Sequence, residues 1–159
     1  IALGVDPADS NVMKTKPIKS GTLFADGLLF RIILHGIFIS VATLAAYWLG
    51  ELYFGDHAEA MTMTFIVLAF SQLLHSLNQR SNYDSIFTRN KEHNFYLLGA
   101  MCVSAAIALL VLVPPLQGFF KFVPLGWREW LAAAGLSLFP LAAVEVSKIF
   151  MRAAKRGKK

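Results

Sequence analysis

The sequence has few charged residues and almost no cysteine. Lys, Arg, Asp and Glu make up 16% of the 159 residues, where a soluble domain carries about 25%. Hydrophobic residues make up 56%, and the mean hydropathy is +0.55. The apolar residues fall in long blocks separated by short polar stretches. This composition argues against a water-soluble globule and predicts a multi-pass membrane protein.

The sequence also lacks the motifs of self-contained catalysis. It has no glycine-rich phosphate loop, no Ser, His and Asp that suggest a triad, and no paired carboxylates at one membrane depth. The lone Cys102 excludes a disulfide framework within the chain and a multi-cysteine metal site. We therefore predict neither a catalytic residue nor a bound cofactor. Because the first residue is Ile1 rather than Met and no cleavable signal peptide follows it, we expect a piece of a longer protein.

Four uncharged runs are long enough, or nearly so, to cross a bilayer. They cover residues 32–50, 60–79, 93–120 and 130–144, against about 20 residues for a helical span. The last run is short, but its apolar pattern continues past Glu145, and an acid near the membrane surface can reach the headgroups. We predict an all-α membrane protein with four transmembrane helices at about 28–50, 61–79, 95–113 and 130–151.

The basic residues predict the orientation of these helices. Thirteen of the fifteen Lys and Arg residues fall on one side, in the leading segment and first helix start, the 80–94 loop and the tail. The opposite side has only Lys121 and Arg128. Positive residues concentrate on the cytoplasmic side, so both termini are predicted to be cytoplasmic. The net charge of +5 is explained by these basic residues, which would lie next to anionic lipid headgroups. No nucleic-acid partner is therefore expected.

The polar ends of the chain divide it into three parts. Residues 1–27 form a turn-rich cytoplasmic segment, 28–152 the four-helix membrane domain and 153–159 a basic cytoplasmic tail. The leading segment is either a tether or a docking segment, since Val12 and Met13 are apolar within a polar stretch. The sequence leaves both alternatives open.

Small residues line one face of the first helix. Gly36, Ser40 and Thr43 recur at spacings of four and three, a pattern that lets helix backbones approach closely. The strip serves packing either within the four-helix unit or against a helix outside the chain. His35 lies one turn from the cytoplasmic end, where we expect it to reach headgroups or a neighbouring carbonyl rather than a metal.

The second helix carries the most informative polar pattern. With about 100° of rotation per residue, six polar side chains occupy an arc of about 160°. Such groups are costly in lipid, so the arc should face a bundle interior or a hydrated path. They either join helices by hydrogen bonds or supply ligands to a cation, and the deeper Gln72 offers a neutral oxygen. The six residues are Ser71, Gln72, His75, Ser76, Asn78 and Gln79.

The last two helices carry fewer polar groups. The third is predicted to serve packing and lipid contact, and Pro114 ends it before an aromatic belt at the outer interface. Pro140 is expected to kink the fourth helix. Glu145 and Lys148, three residues apart, predict a surface-level ion pair of small energetic weight.

Several segments together resemble the C-terminal membrane region of P-type cation-transporting ATPases, above all the calcium pumps. The leading motif is similar to the loop after the sixth membrane helix of that family. The later motifs are similar to its seventh, eighth and tenth helices, so the resemblance covers essentially the whole chain. The matching stretches are ALGVDPAD at 2–9 followed by Val12, Met13 and a Lys-Pro run; GLLFR at 27–31; Gln72 with SLN at 76–78; and Leu138, Pro140, Glu145 and Lys148.

The resemblance implies helices seven to ten of a ten-helix pump that moves a cation, usually calcium, through an aspartyl-phosphate formed from ATP with magnesium. The ATP-binding and phosphorylation motifs would lie outside this chain. The leading loop, with Asp6, Pro7, Asp9 and Met13, is implied to contact the phosphorylation domain. Gln72 matches the place of one cation ligand, where two-site calcium pumps carry an acid; a neutral Gln leaves one-site transport or another ion open.

The resemblance also implies partners. Gly36 and Ser40 would pack on the missing fifth helix, and the remaining membrane helices, the phosphorylation domain and the lipid bilayer would surround the chain. We expect a multi-pass integral membrane protein and favour a bacterial plasma membrane over a eukaryotic one. Two rivals remain: a self-standing four-helix scaffold or pump regulator, and a small ion channel or carrier.

Overall fold

The computed structural model describes residues 28–79 and 94–156 together with Gly4, with side chains as far as Ile149. Every regular element in the ranges 28–79 and 94–156 is helical, which confirms the predicted all-α class. The helices are α1 (Leu28–Leu49), a π-helical turn (Gly50–Phe54), α2 (His57–Asn78), α3 (Phe95–Leu110), α4 (Pro114–Phe120) and α5 (Trp127–Arg156).

The helices are long and apolar enough for a membrane. Three of them could cross it, namely Leu28–Phe54, His57–Asn78 and Trp127–Ile149, and α3 with α4 forms a bent pair that could be a fourth span. Many large apolar side chains point away from the other described helices. Such a surface suits a lipid environment or further helices, since water would not solvate it favourably.

The third predicted helix differs most from the sequence interpretation. It ends at Leu110 rather than residue 113, and α4 departs from it at 77°. The cause is Pro114, which holds the preceding Val113 in an extended conformation (φ −75°, ψ 140°). Pro114 and Pro115 then begin α4, where a missing backbone N–H costs nothing. With 16 residues, α3 is about 24 Å long, less than the hydrocarbon thickness of about 30 Å.

Helix boundaries follow local capping groups that hydropathy counting overlooks. Asp56 caps α2 by accepting a hydrogen bond from the Ala58 backbone N–H at 2.9 Å, so the helix begins at His57 rather than residue 61. Asn94 caps α3 in the same way through the Leu97 N–H, also at 2.9 Å. α5 extends beyond both predicted ends, from Trp127 to Arg156.

The helices α1, α2 and α5 form the packed centre of the described structure. Their shared core is made of small and branched apolar residues: Ala42, Ala46, Ile66, Val67 and Ala133. α3 packs less extensively, with Leu97 as its buried residue. The predicted aromatic belt lies on α4 and the connection to α5, where Phe122 packs on Phe65 of α2 with ring centroids 4.8 Å apart.

Close backbone contact joins α1 to α2. Gly50 is buried at the end of α1, and a Cβ atom there would lie 2.3 Å from the Cα of Ala60. Polar groups brace the same junction: the Tyr47 hydroxyl donates to Glu51 Oε1 at 2.9 Å, and His57 Nδ1 contacts that carboxylate oxygen. Gly55, with φ +74°, then turns the chain into α2.

Candidate functional site on the polar face of α2

The structure divides the polar face of α2 into a buried part and an exposed part. Ser71, His75 and Asn78 are buried against the neighbouring helices, whereas Gln72 and Gln79 are exposed. The buried residues occupy one side of the predicted arc, and Gln79 and Gln72 follow further around the helix. The expected inward-facing position therefore holds for Ser71, His75 and Asn78. Within the described structure it does not hold for Gln72.

The buried part of this face meets α1 through two histidines. The rings of His35 and His75 stand edge to face, with centroids 4.8 Å apart and planes 79° apart. His75 Nε2 also lies 2.9 Å from Gln79 Nε2. His35, predicted to reach headgroups or a neighbouring carbonyl, instead packs against a second imidazole. This contact places the beginning of α1 and the end of α2 side by side.

A buried lysine connects the same end of α2 to α5. Lys148 is only 3% exposed; its Nζ donates to Glu145 Oε1 at 2.9 Å and to Asn78 O and Oδ1 at 3.3 and 3.4 Å. The predicted ion pair exists, but its placement at the surface is wrong. Lys148 shares the buried face of α5 with Ala133, Ser137 and Val144, a spacing that turns this face toward α2.

Gln72 is not part of this cluster. It is exposed in the described structure, and its side chain makes no hydrogen bond to the described residues. Among residues 28–79 and 94–156, no three His, Cys, Asp or Glu side chains converge in a way that could hold a metal ion. A cation site that includes Gln72 therefore needs its other ligands from elsewhere.

The predicted packing strip on α1 is not used by the described helices. Gly36 and Ser40 are exposed, and a Cβ atom at Gly36 would meet nothing within 4 Å. Gly36 and Ser40 are thus not packed against the described helices, whereas Thr43 is half-buried, and what the strip packs on stays a prediction. A second strip, which the sequence analysis missed, packs instead: Ala42, Ala46 and Gly50 are buried at a spacing of four, and this small-residue spacing was the signal that could have revealed it.

The predicted coupling loop lies outside the described residues. Asp6, Pro7, Asp9 and Met13 fall in the leading segment, of which the structure describes only Gly4. Their role stays a prediction.

Comparison with known proteins decides the family. The family model described as "Cation transporting ATPase, C-terminus" matches residues 1–150. The chain belongs to this family. Its membership confirms the predicted resemblance, and with it the interpretation of α1, α2 and α5 as membrane helices of a P-type ATPase.

Several proteins that match the chain are named calcium-transporting ATPases. The chain is 34% identical to "Calcium-transporting ATPase 1" of Bacillus cereus (strain ATCC 10987 / NRS 248), over 94% of this chain and 19% of that protein. It is 36% identical to "Calcium-transporting ATPase" of Bacillus subtilis (strain 168), over 88% of this chain and 16% of that protein.

A plant member shows similar coverage. "Calcium-transporting ATPase 3, endoplasmic reticulum-type" of Arabidopsis thaliana is 28% identical over 91% of this chain and 17% of its own length. The chain thus spans less than a fifth of these relatives. It corresponds to the C-terminal region of cation-transporting ATPases, and its apolar helices support an integral membrane protein.

Proposed function

We propose that this chain is the C-terminal membrane domain of an ATP-driven calcium pump, in which it supports the transport helices. The observation that carries the proposal is the family match over residues 1–150 together with calcium-transporting relatives along nearly the whole chain. ATP and magnesium would act in the remainder of the protein. The chain itself would contribute no catalytic group.

Within this proposal, Gln72 is the one side chain that the domain donates to the cation site. Its amide is exposed, and it lies about 120° around α2 from Asn78, the residue that Lys148 contacts. A neutral amide oxygen is a suitable ligand for a hard cation such as Ca²⁺, and a polar group on an exposed membrane-helix face needs a polar neighbour. Ligands from the remaining membrane helices would complete the site.

The unused strip on α1 fits the same arrangement. Gly36 and Ser40 leave space for a helix backbone to approach, and small residues are enriched where membrane helices meet. We assign this surface to one of the remaining membrane helices of the pump. The leading loop would contact the phosphorylation domain and couple it to the membrane.

Substitution of Gln72 tests its role in the full-length protein. If Gln72 ligates the ion, Gln72→Ala should raise the calcium concentration needed for half-maximal ATP turnover by about tenfold, equivalent to about 1.4 kcal/mol of lost binding. Expression and membrane insertion should stay normal. Turnover would be measured across a calcium titration.

Gln117→Ala supplies the matched control, since it removes the same side chain from α4. It should leave the calcium dependence unchanged. If Gln72→Ala behaves like this control, Gln72 is a packing residue and the proposed ligand is wrong.

A further inference from the structure

Lys148 is a charged side chain buried among membrane helices, which requires an explanation. It is 3% exposed, and a cation placed at membrane depth is costly unless polar groups surround it. Glu145 neutralises the charge from one turn away, at 2.9 Å. The ion pair alone does not explain the burial, because Lys148 and Glu145 could pair equally well at the protein surface with a smaller desolvation cost.

Two further hydrogen bonds of Lys148 connect α5 to α2. Its Nζ donates to Asn78 O at 3.3 Å and to Asn78 Oδ1 at 3.4 Å. In the opposite direction, Asn78 Nδ2 donates to Leu141 O on α5 at 3.4 Å. We call Lys148, Asn78 and the Leu141 carbonyl the α2–α5 clasp. Its hydrogen bonds run both ways between the two helices.

The clasp meets α2 at a chemically suitable point. Asn78 is the last residue of α2, where backbone carbonyls have no partner within the helix. A cation placed there also offsets the partial negative charge of the helix end. The apolar contacts between Ile66, Val67 and Ala133 are not directional and permit sliding. Hydrogen bonds from the Lys148 ammonium to both oxygens of Asn78 are directional and oppose such sliding.

We infer that Lys148 is a positioning residue that fixes the depth and rotation of the cytoplasmic half of α2 against α5. Gln72 precedes Asn78 by six residues, about 9 Å along the helix axis and about 120° around it. Fixing Asn78 therefore fixes where the Gln72 amide points. This consequence for Gln72 rests on the proposed function, whereas the clasp itself does not.

The first test measures the clasp directly by amide hydrogen exchange in the full-length protein. Lys148→Met keeps the length of the side chain and removes its charge and donors. We expect exchange in the last turn of α2, residues 75–79, to rise about tenfold, a change of about 1.4 kcal/mol. Exchange in the first turn of α2, capped separately by Asp56, should not change.

Two further variants make this test decisive. Lys148→Met removes one partner of the Glu145 carboxylate and can lower the yield of folded protein. A second variant, Asn78→Leu, therefore removes the side-chain hydrogen bonds of the clasp from the α2 side. It should raise exchange in the same turn. Lys121→Met, at an exposed lysine between α4 and α5, is the matched control and should change neither turn. Unchanged exchange in both clasp variants would overturn the inference.

The second test asks whether the clasp acts through Gln72. Lys148→Met should raise the calcium concentration for half-maximal ATP turnover by about tenfold, within the hundredfold that a misplacement of about 1 Å can cost. The KM for ATP should not move. In the Gln72→Ala background, Lys148→Met should not raise the required calcium concentration further. The reason is that moving residue 72 has no effect on calcium binding once its amide has been removed.

The outcomes separate the two claims. Faster exchange with a non-additive calcium shift supports both the clasp and its action on Gln72. Faster exchange with no effect of Gln72→Ala supports the clasp and rejects Gln72 as a ligand. Additive shifts show that Lys148 acts on the ion site by another route, which overturns its positioning of Gln72.

Discussion

Gly50 is the residue on which the contact between α1 and α2 most directly depends. The missing side chain lets the end of α1 approach the backbone of Ala60, which is fully buried. A methyl group at residue 50 would lie 2.3 Å from the Ala60 Cα, a backbone atom that no rotamer change can move aside. The glycine is needed for space rather than for conformational freedom.

We predict that Gly50→Ala destabilises the protein by about 1–3 kcal/mol, the usual cost of overpacking a core. Thermal unfolding of the detergent-solubilised full-length protein would measure this loss. Gly99→Ala on α3 is the control, since a Cβ atom there meets nothing within 4 Å of the described residues. Equal melting temperatures for both variants would contradict the close approach.

The burial of single residues was the least predictable feature. The i,i+3 spacing of Glu145 and Lys148 correctly indicated an ion pair, but its depth depends on which face of α5 meets α2. That face becomes recognisable only when the positions of Ala133, Ser137, Val144 and Lys148 are considered together. Likewise, the polar arc of α2 was identified correctly, but its division between His75 and Gln72 depends on where the neighbouring helices lie.

At the scale of elements, the membrane-length helices were predictable because the bilayer imposes a simple requirement on composition. Some 20 apolar residues are needed to span it, and the runs at 32–50 and 60–79 correspond to α1 and α2. The break between α3 and α4 was predictable only in part. Pro114 indicated where the helix stops, but the 77° bend and the short helix that follows depend on the conformations of Val113 and Lys121.

The leading segment is proposed to couple the phosphorylation domain to the membrane helices. If its loop contacts the phosphorylation domain of the pump, reversing the charge of Asp6 and Asp9 to Lys should slow phosphoenzyme formation. The reason is that opposite charges there would repel a surface complementary to the native carboxylates. Rapid-quench measurement of phosphoenzyme formation, with membrane insertion as the control, tests this. A normal rate of formation would remove the coupling role.

At the scale of the whole molecule, the described helices form a packed centre with two unpartnered surfaces, which suits the support role that we propose. The centre formed by α1, α2 and α5 is held by small-residue contacts at Ala42, Ala46 and Gly50 and by the α2–α5 clasp. Two surfaces remain without a partner among the described residues: the Gly36 and Ser40 strip and the side of α2 that carries Gln72. In a larger helical bundle, both would meet the transport helices.

The rival interpretations make different predictions for the whole molecule. A self-standing scaffold or regulator would move no ion, and a channel or carrier would move ions without ATP. Neither explains why calcium-transporting ATPases match the chain along nearly its whole length. Because the three possibilities differ in ion movement and its dependence on ATP, a flux measurement distinguishes them.

The most direct test is calcium uptake into inside-out membrane vesicles that contain the full-length protein. If the protein is a calcium pump, calcium accumulates when ATP and magnesium are supplied and does not accumulate without ATP. Calcium flux independent of ATP, or ATP-driven uptake of another cation with no response to calcium, would contradict the proposed function.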